Sequence, residues 1–251
     1  MKKSDKLLNL ILPLITLTCI IIVWSVGAFA TDNEYILPSV WQTVKEFIAL
    51  FGDQKFYSSL LLTLLRSVIA FISSFIISAI LAYAANKSRI LERLILPLIS
   101  IVRALPTLAI ILLLLFWTNN QVAPVVVTML VVMPTVYTGL KNAFDGVDKT
   151  SIEAAMVDGA GKRQLFFRIE LPQIAPPLCS LVGGGLSLNL KLMVAAEVMG
   201  ATVKSLGTML NIANFNLEVA KMLALVLVVL IIGLVVEFSF NKLSKKVGDF
   251  K

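Results

Sequence analysis

Six apolar runs, each long enough to cross a bilayer, punctuate this chain at roughly residues 7–29, 58–85, 94–117, 122–140, 173–199 and 219–240. A hydrocarbon core about 30 Å thick asks for about 20 apolar residues of helix, so little of the chain is left to build a water-soluble core. A helix satisfies its own backbone polar groups within one segment, and the runs lack the alternating pattern of a transmembrane barrel strand. The expected fold is therefore all-α, a polytopic membrane protein with about six transmembrane helices in a single domain over residues 1–251. The hydrophobic content of 58% agrees, since soluble domains hold roughly 45–50%. The fourth run carries Pro134, which membrane helices tolerate. Without that run the two chain ends would fall on opposite sides.

The basic residues test the topology independently, because Lys- and Arg-rich loops stay in the cytoplasm. With the N-terminus inside, the cytoplasmic segments hold Lys2, Lys3 and Lys6, then Lys87, Arg89 and Arg93, then Lys141, Lys149, Lys162, Arg163 and Arg168, and finally Lys242, Lys245, Lys246 and Lys251. The external loops hold Lys45, Lys55 and Lys204. Both termini are expected in the cytoplasm. The net charge of +7 follows alternate loops and forms no basic stripe with interleaved aromatics, so no nucleic-acid partner is expected. The first run is longer than a signal-peptide core, and Ala28-Phe29-Ala30 is a weak cleavage pattern, so it is read as a retained helix.

Reactive chemistry is sparse. The chain has no His, and Cys19 and Cys179 both fall in apolar runs, where free Cys behaves as a small hydrophobe. That removes Ser-His and Cys-His nucleophile pairs and histidine metal sites. No catalytic residue, metal site or bound cofactor is expected. Gly159-Ala-Gly-Lys162 resembles the end of a phosphate-binding loop, but Met156 stands where the first Gly is required and Arg163 where Ser or Thr would hold magnesium. Energy from nucleotide would have to come from another polypeptide.

The charged loop at about 141–172 reads as two short helices. Thr150 and Glu153 have capping-box spacing, and Ile152, Ala155 and Met156 form a small apolar face behind them. Gly159 and Gly161 can supply the turn that ends the first helix. Leu165, Phe166 and Phe167 then stand in a basic loop until Pro172, and apolar groups left in such a place call for a partner. Glu153, Ala154, Ala155, Gly159, Ile169, Leu171 and Pro172 match, at every fixed position, the cytoplasmic signature of the permeases of binding-protein-dependent ABC importers. Ser59 to Arg66, Pro97, Arg103-Ala-Leu-Pro106-Thr, Trp117 and Ala196-Glu197 resemble the nitrate, sulfonate and taurine branch of that family.

The resemblance implies a type I ABC importer permease fold in the bacterial cytoplasmic membrane. It implies a cytoplasmic ABC ATPase dimer, carrying ATP and Mg, that grips the loop through Glu153, Ala154, Ala155, Gly159, Leu165, Phe166, Ile169, Leu171 and Pro172. It also implies an extracytoplasmic solute-binding protein and a second permease subunit, which the six helices of one chain lead us to expect as an identical copy, a different second subunit being the alternative. The implied substrate is a small polar or anionic solute such as a sulfonate, taurine, nitrate or a vitamin precursor. Alternating access would follow from the docked helices acting as levers.

Ionisable groups inside the membrane cost about 2.5–3.5 kcal/mol each on insertion scales. Arg103 beside the kink-forming Pro106, and Lys191 and Glu197 on the fifth span, are therefore expected to line the translocation pathway. The alternative is that Arg66 and Arg103 snorkel or brace other helices and Glu197 reaches the outer interface. Outside the membrane, Trp41, Val44 and Phe47 place an amphipathic helix at the interface, and residues 200–218 form a partly structured loop. A self-sufficient secondary transporter is the competing function. It would want coupling carboxylates in the membrane, yet Glu197 is the one deep acid before Glu237.

Overall fold

In the computed structural model, residues 3–248 are described, and within them every regular element is helical. Lys2 and Lys251, both used above for topology, lie outside the described residues. The chain divides into two compact units, Met1–Tyr57 with Met209–Val228, and Ser58–Thr208 with Val229–Lys251.

The smaller unit is built on α1 (Lys3–Thr31) and α2 (Val40–Leu50). Ser39 starts α2 with a complete capping box: its hydroxyl accepts from the Gln42 amide, and the Gln42 side chain accepts from the Ser39 amide at 2.8 Å. Trp24 of α1 donates its indole N–H to the Pro38 carbonyl at 3.0 Å, tying the connecting loop back to the helix. Trp41 and Val44 of α2 are exposed, as an interfacial helix requires.

The larger unit takes in most of α3 (Gln54–Lys87), then α4 (Arg89–Ala104), α5 (Thr107–Trp117), α6 (Ala123–Asp145), α7 (Lys149–Val157), α8 (Lys162–Leu165) and α9 (Leu171–Met199). It closes with the start of α10 (Leu206–Phe215) and the C-terminal part of α11 (Val219–Gly248). Five helices among the described residues are long and apolar enough to span a membrane. The expected third span, 94–117, is instead a broken one. α4 and α5 meet at 92°, because Pro106 has no N–H to continue the ladder and forces Leu105 to the extended region, φ −68° and ψ 130°. At 1.5 Å per residue α4 and α5 reach only about 24 and 17 Å, so neither crosses alone.

The fourth apolar run is the packed centre of this unit. Val132, Val136, Tyr137 and Leu140 of α6 are buried with Phe71 and with Ile95 and Ile99 of α4. Pro134 sits within the helix, and its carbonyl accepts from the Thr138 hydroxyl at 2.8 Å. α9 packs closely on α3 and α11 because its small residues leave no side chain in the way. A Cβ on Gly183 would come within 2.6 Å of Phe240 Cβ, and one on Gly185 within 2.8 Å of the Phe71 ring.

Candidate functional site

The loop before α9 folds as a hairpin whose first limb is α7. Its cap is Asp148 rather than the expected Thr150: the carboxylate accepts from the Thr150 amide at 3.0 Å and from the Ser151 amide at 3.3 Å. A carboxylate is a stronger acceptor than a hydroxyl for free helix N–H groups. The Ser151 hydroxyl and the Thr150 amide hold the Asp148 carboxyl below its usual range. The Asp148 amide in turn donates to Gln173 Oε1 at 2.8 Å, joining the start of α7 to the first turn of α9. Relieved of a capping role, Glu153 stands exposed beside Ala154.

α7 stops in a Schellman turn. The Gly159 amide donates to the Met156 carbonyl at 3.0 Å and the Ala160 amide to the Ala155 carbonyl at 2.9 Å, which requires a left-handed residue between them. Gly159 supplies it at φ +82°. The turn borders an open cavity of about 520 Å³ lined by Ala155, Asp158, Gly159, Ala160, Gln164, Arg168 and Ile169.

The second limb departs from expectation in two ways. Leu165 is buried, so the apolar surface offered outward is Phe166 at 43% and Phe167 at 55% exposure. These rings meet edge to face at 5.1 Å, with the Arg163 guanidinium 6.0 Å from the Phe167 ring. Nor does the limb end at Pro172. Phe166–Glu170 widens into a π-helical turn, with the Leu171 amide donating to the Phe166 carbonyl. A wider turn relieves the clash and the missing bond that Pro172 would impose on a regular α-helix. Arg163–Met199 is consequently one continuous helix of 37 residues, with Ile169 half-buried and Leu171 exposed along its first turns.

The three intramembrane candidates are not gathered in one place. Arg103 is exposed at the end of α4 and donates to Thr138 Oγ1 at 3.0 Å. Lys191 is exposed on α9, beside Gly233 of α11. Glu197 is completely enclosed and paired with Arg66 of α3 at 3.0 Å. Its other oxygen accepts from Thr63 Oγ1 at 2.8 Å and from the Gly207 amide at 3.4 Å. Arg66 thus braces a helix, the alternative reading of the sequence. The Arg66–Glu197 pair and the Asp148–Gln173 contact are not legible in the sequence, because each joins residues that spacing along one helix cannot relate. The signal the sequence does carry is chemical: an acid and an arginine placed inside apolar runs each need a counter-ion.

Comparison with known proteins agrees with this architecture. A family described as the binding-protein-dependent transport system inner membrane component matches residues 74–249. The taurine transport system permease protein of Escherichia coli K12 is 24% identical over 229 residues, covering 89% of this chain and 83% of that protein. The formylaminopyrimidine transport permease protein of Halalkalibacterium halodurans is 27% identical over 207 residues, covering 81% and 77%. Among solved structures, a bacterial alginate ABC transporter in complex with its alginate-pentasaccharide-bound periplasmic protein superposes with a TM-score of 0.61 at 16% identity, over 98% of this chain and 96% of that one. The inward-facing MetNI methionine ABC transporter gives 0.61 at 19% identity, over 75% and 94%. The two solved structures speak for the fold alone.

Proposed function

The chain belongs to the binding-protein-dependent transport system inner membrane components, and from that membership we propose that it forms the translocation passage of an ABC importer and is driven by a separate ATPase gripping the 148–172 hairpin. Family membership makes it a multi-pass transport component and not itself an enzyme. In the proposed assembly two identical copies enclose one passage in the bacterial cytoplasmic membrane, with both termini cytoplasmic. A solute-binding protein delivers substrate from outside, while ATP and Mg reside on the ATPase dimer. The substrate class we propose is a small polar or anionic solute, in keeping with the taurine and formylaminopyrimidine named for the relatives.

The observation that carries this reading is the continuity of Arg163–Met199. A partner holding Phe166 and Phe167 would hold one end of a rod about 55 Å long, so force applied at the hairpin moves a spanning helix directly. Exposed aromatics, the positive-φ turn at Gly159 and the adjoining cavity give that partner a shaped, partly apolar surface. Lys191 is the cation we assign to the passage. It is exposed on the isolated chain, and a water-lined route would spare it the cost of facing lipid.

The test is copurification. A Phe166→Asp/Phe167→Asp variant should insert normally yet lose the ATPase and all ATP-dependent uptake. Uptake by this chain without any ATPase, driven by an ion gradient, would overturn the proposal.

A further inference from the structure

We infer that Arg66 and Glu197 are positioning residues that clamp the end of α9 remote from the docking hairpin to α3 and to the 200–206 loop, so that displacement imposed on the hairpin is delivered there without slack. This rests on the docking reading above and goes beyond it by assigning the far end of the lever.

The clamp is dense. Arg66 spends its guanidinium on acceptors from three separate stretches: Glu197 Oε1 at 3.0 Å, Gln121 Oε1 at 2.5 Å, and the carbonyls of Val203 at 3.2 Å and Lys204 at 3.4 Å. One turn earlier on α3, Thr63 donates to Glu197 and accepts from the Leu206 amide at 3.0 Å. Nearer the middle of α9, Asn189 donates to both the carbonyl and the hydroxyl of Ser67 at 2.7 Å, so α3 and α9 are pinned at two levels. The loop is further laced to the turn before α6, Thr202 donating to the Asn120 carbonyl at 2.8 Å and Asn120 to the Ala201 carbonyl at 3.1 Å.

Two features indicate that position, rather than stability, is what the clamp supplies. Ala201 and Lys204 hold positive φ, 46° and 51°, a strained state that persists only where surroundings over-determine it. At Gly207 a Cβ would lie 2.4 Å from Glu197 Cβ, so the first turn of α10, where the loop ends, is seated directly on the acid. A buried ion pair is no better for stability than well-packed apolar side chains, but its forked, directional bonds fix register in a way that apolar packing does not. Register is what the end of a lever requires.

The experiment uses the complete complex with its ATPase in lipid discs. Lys204→Cys, in a chain with Cys19→Ser and Cys179→Ser, reports on the loop by its rate of maleimide labelling without nucleotide and after trapping with ATP and vanadate. With the clamp intact, the two rates should differ. Arg66→Lys or Glu197→Gln should abolish that difference while ATPase copurification and vanadate-sensitive hydrolysis persist. Gln121→Ala removes one acceptor without exposing a buried charge, and should reduce the difference without abolishing it; it decides the matter if the other variants fail to insert. An unchanged difference in the variants, or none in the parent complex, overturns the clamp. Failure of the ATPase to copurify with the parent overturns the docking reading instead.

Discussion

Gly159 and Gly161 form a matched pair on which the hairpin's geometry can be tested. A Cβ at either position meets nothing within 4 Å, so space does not distinguish them. Backbone does, since Gly159 has φ +82° whereas Gly161 is outside the positive-φ region. Ala substitution reduces unfolded-state freedom equally at both, so that contribution cancels in the comparison. What remains is the cost of an L-residue in the left-handed region, about 1–2 kcal/mol, or roughly 5- to 30-fold in the local opening equilibrium. Hydrogen exchange of the Gly159-position and Ala160 amides, which close the turn on Met156 and Ala155, reads that equilibrium in a lipid-embedded sample. Gly159→Ala should exchange faster than Gly161→Ala by that factor. Equal rates would refute the left-handed turn and with it the shape offered to the ATPase. Gly159→Lys adds a charged side chain at the cavity rim and should abolish docking while leaving insertion intact.

Three further outcomes are expected. Folding lowers the Asp148 pKa, so its contribution to α7 is complete above the unfolded value of about 3.9 and disappears as pH falls through the lower folded value; amide protection in α7, corrected for intrinsic exchange, should be flat from neutral pH to about 5 and decline only below about 4. Phe166→Ala and Phe167→Ala each remove a ring about half exposed in the free chain, and should weaken ATPase binding by about 1 kcal/mol apiece, near five-fold in Kd by titration. Lys191→Gln should leave insertion and ATPase binding unchanged but depress uptake of the solute held by the cognate binding protein; undiminished uptake would remove Lys191 from the passage.

Much of this fold is legible in the sequence where the controlling interactions are local. Apolar length marks the spans, and Gly159 placed after a short apolar-faced helix marks the Schellman turn. Other features depend on contacts that periodicity does not carry. Pro106 announces a disruption, but a kinked span and a 92° break share the same residues, and the outcome depends on how α4 and α5 each pack on α6. Pro172 reads as a helix end, yet one π-helical turn lets the helix pass through it. Thr150 and Asp148 are both plausible caps by spacing, and the carboxylate takes the helix N–H groups. Arg66 and Glu197 stand 131 residues apart, and only the folded chain shows that the acid faces a counter-ion. Leu165 turns inward for the same kind of reason, leaving Phe166 and Phe167 as the exposed pair.

Everything in the mechanism depends on which partner touches which end of α9. A photo-reactive amino acid at position 153, on the exposed face of the hairpin, or at position 203, in the loop at the other end, tests that in intact membranes. The account predicts that position 153 crosslinks to a protein bearing a phosphate-binding loop and that position 203 does not. Crosslinking of the nucleotide-hydrolysing partner from position 203, or labelling of position 153 by reagents confined to the outside of the cell, would contradict it.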